Sequence, residues 1–196
     1  MSSLNFGYPD WMSKTFKMQE LNSLLDDIKK ARAALSGHLY GLDNDQGRLK
    51  CTPETWSLQE IVEHLVLAER GGFDLIYTAA EKYREGFPVW QGESENTGLS
   101  IEKIIEKTWK PRENAPDSAW PGGKWSLGVW LAHFRNCDDL LGNLPEVLQG
   151  LPPEKVIYPH FLCGPLNVIQ RLEFIRFHIE RHSNQVMELK NALGYR

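Results

Sequence analysis

The feature that most constrains the fold is the length of one connection. Residues 86–125 separate two stretches of helical periodicity by 40 positions. Helices joined by short loops lie antiparallel, whereas a connection this long can cross a bundle and let the helices on either side run parallel. The segment carries Trp90, Trp109, Trp120 and Trp125, turn residues at Pro111, Pro116 and Pro121-Gly122-Gly123, and helical spacing over Ser100–Lys110. Connections of this length in compact domains are generally functional or lid-like, so 86–125 reads as a lid-like insertion. Its tryptophans either line an apolar pocket or cover the open core.

Four longer helices surround it in sequence. From Lys14 to Leu39 the apolar residues Met18, Leu21, Leu24, Leu25, Ile28, Ala31 and Leu35 recur at threes and fours, with Gly37 and Gly41 at the end. After a polar loop over 41–55, Ser57-Leu58-Gln59-Glu60 has the form of a capping box. It opens a second helix whose stripe runs through Ile61, Leu65, Phe73, Ile76 and Ala80 to stop at Gly86 and Pro88. A third helix starts at Ser126 and ends before Leu151-Pro152-Pro153. The fourth follows Gly164, with Pro165 where its missing N–H does no harm, and runs to about Ala192. Residues 1–13, with Phe6, Tyr8, Pro9 and Trp11, form an irregular arm, and Lys155–Phe161 is the one candidate for extended chain. The expectation is an all-α single domain over 1–196: arm 1–13, bundle 14–193 and insertion 86–125.

Composition narrows the class of function. A net charge of −4 offers nucleic acid no broad attraction. Cys51, Cys137 and Cys163 are odd in number and form no C-x-x-C pair, which argues against a disulfide framework or a thiolate zinc site and fits a reducing cytoplasm. No leader pattern opens the chain, and no run approaches the roughly 18 apolar residues of a membrane span. No nucleic acid and no membrane are expected as partners.

The chemistry lies in histidines. Across Leu172–Val186, at about 100° per residue, His178 and His182 fall some 40° apart on the stripe of Ile175, Val186 and Leu189. His64 lies on the flank of the second helix's stripe, about 60° from Ile61. Histidines at i and i+4 can share one metal ion, and a third from a neighbouring helix completes a three-nitrogen set. The plain alternative is hydrogen-bonded core histidines, yet imidazoles in an apolar seam need polar partners. Ile179 after His178 removes the H-E-x-x-H protease pattern, and no Glu-x-x-His of di-iron bundles, phosphate loop or nucleophile elbow is present. A mononuclear site for zinc, nickel, iron(II) or cobalt remains. Three protein ligands leave an open position, the catalytic pattern, where water or a small thiol becomes a nucleophile at neutral pH.

Other residues carry two readings each. Trp125-Ser126-Leu127 precedes His133 at the spacing by which Trp56-Ser57-Leu58 precedes His64, but His133 reads first as a core histidine. Gln185 projects near His178 and serves either a ligand or helix packing. Glu63 and Glu180 turn away from their neighbouring histidines and read as solvated or interhelical charges. Cys163 reads as a buried free thiol, with activation by a helix N-terminus as the alternative. His38 and His160 receive no role.

The Trp56-Ser57 helix start with His64, the long second connection, and Gly164-Pro165-Leu166 leading to His178-x-x-x-His182 together resemble the DinB/YfiT-like superfamily, over roughly Lys14 to Leu193. The resemblance implies a four-helix bundle of up-down-down-up order and one divalent ion, zinc, nickel or iron, on His64, His178 and His182. It also implies, in some members, metal-dependent hydrolysis or transfer of a low-molecular-weight thiol. The function expected is a metal-dependent enzyme activating water or such a thiol for hydrolysis or S-transfer on a small molecule, in a bundle of a kind compatible with a homodimer. The rival expectation is a non-catalytic binding bundle whose metal is structural or absent.

Overall fold

The computed structural model describes residues 10–108 and 115–195, with side chains from residue 19 onward. The arm residues Phe6, Tyr8 and Pro9, together with Trp109 and Pro111, lie outside the described residues. Helix α1 spans Asp10–His38, starting ahead of the expected Lys14 and passing through Gly37; the left-handed φ of 79° falls at Gly41 instead. The expected polar loop contains a short helix α2, Asn44–Arg48, because Asp43 and Gln46 form a reciprocal capping box.

Helix α3, Leu58–Arg84, starts as expected. Ser57 Oγ accepts from the Glu60 amide at 3.2 Å, and Glu60 Oε2 accepts from the Ser57 amide at 2.8 Å. Helix α4, Ile101–Thr108, is the short helix of the long connection, and a 3-10 turn follows at Asp117–Ala119. Helix α5 is Leu127–Val147, with Ser126 at its N-cap in extended conformation but making no side-chain cap hydrogen bond.

The fourth long helix begins later than Pro165. Gly164-Pro165-Leu166-Asn167 is strand β2, antiparallel to β1, Ile157–His160, and α6 spans Val168–Ala192. Two causes act together. Asn167 and Gln170 form a capping box that fixes the start of the helix, and Pro165 faces Pro159 across the hairpin, a pair in which neither residue has an N–H to exchange. The described residues are therefore mostly helical, with six α-helices and a small two-stranded sheet, rather than all-α. None of these helices is long and apolar enough to cross a membrane.

The main core joins α1, α3, α5 and α6 through residues such as Leu21, Ile28, Ile61, Leu65, Phe73, Phe134, Leu141 and Leu172. Through it runs a charge cluster built on the buried Arg32–Glu69 pair and reaching the surface at Asp138. Arg32 of α1 donates to Glu69 of α3, to Asp138 Oδ1 of α5 at 2.6 Å and to the Phe134 carbonyl. Burial, only partly offset by Arg32, raises the Glu69 carboxyl to about 7. A second, smaller core of Ile101, Ile104, Cys163, Leu166 and Phe174 ties the long connection to the hairpin and α6. Polar anchors reinforce it: Asn96 Nδ2 donates to the Cys163 carbonyl at 2.7 Å, and Gln170 Nε2 donates to the Asn96 carbonyl at 2.7 Å. The connection is thus held against the start of α6, one edge of the histidine site.

Candidate metal centre

His64 stands in the second turn of α3, and His178 and His182 stand one turn apart on α6. The tertiary fold brings the three together. Nε2 of His178 lies 3.1 Å from Nε2 of His64 and 3.2 Å from Nε2 of His182. A tetrahedral ion with Zn–N bonds near 2.0–2.1 Å separates its nitrogens by roughly 3.3 Å, so one ion could take all three. Within the described residues this trio is the group of histidine, cysteine or carboxylate side chains with that capacity.

The far nitrogens explain why these atoms face one another. His64 Nδ1 lies 2.8 Å from the carbonyl of Ala119, which can only accept, so the proton sits on Nδ1 and leaves Nε2 as a lone pair. His182 Nδ1 lies 2.8 Å from Gln185 Oε1, with the same consequence. Burial lowers all three imidazoles below their ordinary value. It acts on His64 against the Ala119 hydrogen bond, takes His182 to about 3, and takes His178 well down with help from the other two histidines. All three are neutral near pH 7, the form that ligates metal.

Aromatic rings surround the trio. Trp56 lies 4.8 Å from the His64 ring and stacks near His182 at 6.3 Å; Trp120 meets Trp56 edge-on at 5.6 Å; Phe174 stacks on His178 at 5.8 Å. The histidines form part of the wall of a cavity of about 680 Å³ between α3, α6, the hairpin and the Ala115–Trp120 stretch. The tryptophans of the connection therefore divide. Trp120 lines the cavity, whereas Trp125 packs on Trp130 and His133.

The remaining candidates sort by what they touch. Gln185 orients His182. Glu180 is exposed and pairs with Arg176, as a solvated charge does. Glu63 is not solvated: it is 3% exposed and accepts from the Gly122 and Gly123 amides at 3.0 and 2.8 Å, fastening the end of the connection to α3. Its direction on α3 is as expected; the loop that meets it there lies about 60 residues away in sequence, beyond the reach of helical counting. His133 lies outside the trio, against Trp125 and Trp130. Cys163 is buried in the hairpin turn, and its thiol is raised by burial, the opposite of activation. His160 lies on the cavity wall, its Nδ1 accepting from the Cys163 amide at 3.1 Å, and burial takes it to about 3. The His38 carbonyl accepts from Lys190. Sequence reasoning missed the Ala119 carbonyl altogether, since a backbone acceptor has no signature.

The chain matches no protein-family profile. It is 23% identical over 172 residues to the uncharacterized protein YuaE of Bacillus subtilis (strain 168), covering 85% of this chain and 96% of that one. Its fold is similar to that of YfiT from Bacillus subtilis, described as "a probable metal-dependent hydrolase with an unusual four-helix bundle topology", with a TM-score of 0.59 at 14% identity over 100% of this chain and 95% of YfiT.

Proposed function

From the YfiT/DinB-like relationship that these two likenesses support, we propose that the protein is a metal-dependent enzyme holding one divalent ion, zinc, nickel or iron, on His64, His178 and His182. One observation carries the reading: three neutral imidazoles converge at 3.1 and 3.2 Å on the wall of a cavity with room for a small molecule. Such an ion supplies Lewis acidity, making a nucleophile of water or a small thiol at neutral pH. The chain's own residues supply the rest. The Ala119 carbonyl and Gln185 hold the Nδ1 protons and so aim both Nε2 lone pairs. Trp56 and Trp120 narrow the approach and lower the local polarity.

Hydrolysis of a small molecule is the first form of the reaction, and S-transfer from a low-molecular-weight thiol the second. The proposal includes a single domain whose 86–125 segment acts as a lid-like cover, in a reducing cytoplasmic setting that suits three free cysteines. It also includes the up-down-down-up order. Tyr77–Leu140 and Arg84–Val147 contacts keep a constant offset of 63 between α3 and α5, and the C-terminal Lys190 of α6 meets the C-terminal His38 of α1.

Metal analysis of the purified protein beside His178→Ala and His182→Ala tests the ligand set: bound metal is expected to fall in both variants, and unchanged content would sink it. Incubation of the metallated protein with ester, amide and thiol–electrophile panels tests the reaction. Turnover that vanishes on chelation is expected. A melting temperature that falls on chelation, with no metal-dependent turnover anywhere in the panel, would favour the non-catalytic bundle.

A further inference from the structure

The cavity beside the histidines contains a buried cation without a counter-ion. Arg171, in the first turn and a half of α6, lines the cavity and is 6% exposed. Its Nε and Nη1 have no hydrogen-bond acceptor, and no carboxylate pairs with it among the described residues. Three features make this costly. A guanidinium shielded from water loses its hydration, it sits at the positive end of a helix dipole, and the groups beside it are not anionic. Burial raises the Tyr158 hydroxyl against its hydrogen bond with Arg171, so the guanidinium's polar neighbour is a neutral phenol and no counter-ion. The ring of Phe174, 5.3 Å from Cζ, offers only its π face.

The packing nonetheless makes room for the guanidinium. Opposite it α3 has Gly72, where an added Cβ would come within 2.7 Å of Arg171 Nη2. On α6, Arg171, Phe174 and His178 follow one stripe, so the guanidinium and the histidine trio occupy the same wall, two turns or about 10 Å of helix apart. Phe174 lies between them, touching both. A ligand spanning the cavity could reach both ends.

From these contacts we infer that Arg171 is a substrate-binding residue that receives an anionic oxygen group, a carboxylate or phosphate ester, on a molecule whose reacting centre lies at the histidines. Arginine suits both through paired N–H donors. This deepens the metal-enzyme reading and rests on it for the reacting centre, but the anion contact itself requires no metal. The site would then select small, partly apolar acids: one end charged against Arg171, the middle passing Phe174, and the other end at the trio.

The test uses the full-length protein, zinc-loaded and chelator-stripped, with benzoate, phenyl phosphate and neutral benzamide as probes, read by calorimetry and melting temperature. At least one anion is expected to bind and raise the melting temperature in both metal states while benzamide does not, the stronger of the two anions identifying the group. Arg171→Met is expected to weaken that anion at least about tenfold and, without ligand, to melt higher than the parent, because an unpaired buried charge is gone. Binding of benzamide equal to the anions, anion binding confined to the zinc-loaded form, or an Arg171→Met protein that melts lower or fails to fold would overturn the inference. Anion binding that persists in a protein unable to hold metal would leave this contact standing and defeat the metal-enzyme reading.

Discussion

Two helix starts in this protein share a local pattern and end differently. Trp56-Ser57-Leu58 leads to His64, and Trp125-Ser126-Leu127 leads to His133, over the same eight-residue spacing. Both tryptophans lie against their histidines, at 4.8 and 5.0 Å between ring centres. Three differences follow. Glu60 completes the capping box on α3, while its counterpart on α5 is Val129, and Ser126 makes no cap bond. Glu63 clamps the Gly122–Gly123 amides, while its counterpart is Ala132. His64 meets two histidines of α6, while His133 meets tryptophans. A Trp-to-His spacing builds a histidine packed on an aromatic ring; what stands across from that histidine decides whether it can join a metal site.

The largest expected break in the comparison is between His64→Ala and His133→Ala. Losing a ligand costs more than the 10–100-fold typical of losing an outer partner, so His64→Ala should weaken zinc binding at least about 100-fold. His133→Ala should leave it unchanged in competition with a chromogenic chelator. Equal losses would put His133 in the site.

Acid should next probe the burial that sets the His64 site apart, through its partner His182. The unfolded chain's imidazoles take up protons near the ordinary value of 6.5, while native His182 waits until about 3. Between those values the unfolded state binds more protons, so the stability of the metal-free protein falls as pH falls, by up to about 1.4 kcal/mol per pH unit for each such histidine. Urea unfolding from pH 7 to pH 4 should show a shallower decline in His182→Ala than in the parent. A His182→Ala slope equal to the parent's would contradict the neutral, buried trio.

Glu63→Ala should cost about 2–3 kcal/mol in urea unfolding, because it leaves two backbone donors of the Gly122–Gly123 loop without their charged acceptor. A loss below about 0.5 kcal/mol, the range of ordinary surface changes, would remove its role as a clamp. The smallest effect runs the other way. Val129 is 42% exposed, and Val129→Glu places a capping-box partner at the start of α5, worth about 0.5–1 kcal/mol. That is a rise of roughly 1–4 °C in melting temperature for a chain of this size; no rise would mean that Ser126 is held away from its cap by the packing around Trp125.

Much of this was legible along the chain because it depends on residues a few positions apart. The Ser57–Glu60 box, the His178–His182 pair and the periodic stripes of the long helices are of that kind. The late start of α6 was also local, through Asn167 and Gln170, but Pro165 offered a competing signal, and only the pairing with Pro159 shows why it belongs to a strand. Asp43 and Gln46 likewise marked α2 within a stretch whose polarity reads as loop. Glu63 misled for another reason: its angle on α3 was right, and the loop it meets arrives from elsewhere.

The sequence by itself determined the helical periods, the caps and the i, i+4 histidine pair, since each is set by backbone geometry over one or two turns. Only the tertiary structure decided which faces meet. It joined His64 to a partner 114 residues away, gave that histidine the Ala119 carbonyl that fixes its proton, and left Arg171 facing a cavity instead of a carboxylate. Periodicity reports which side chains share a face, but a site is made where faces from distant segments converge, and that follows from how the helices and the long connection pack together.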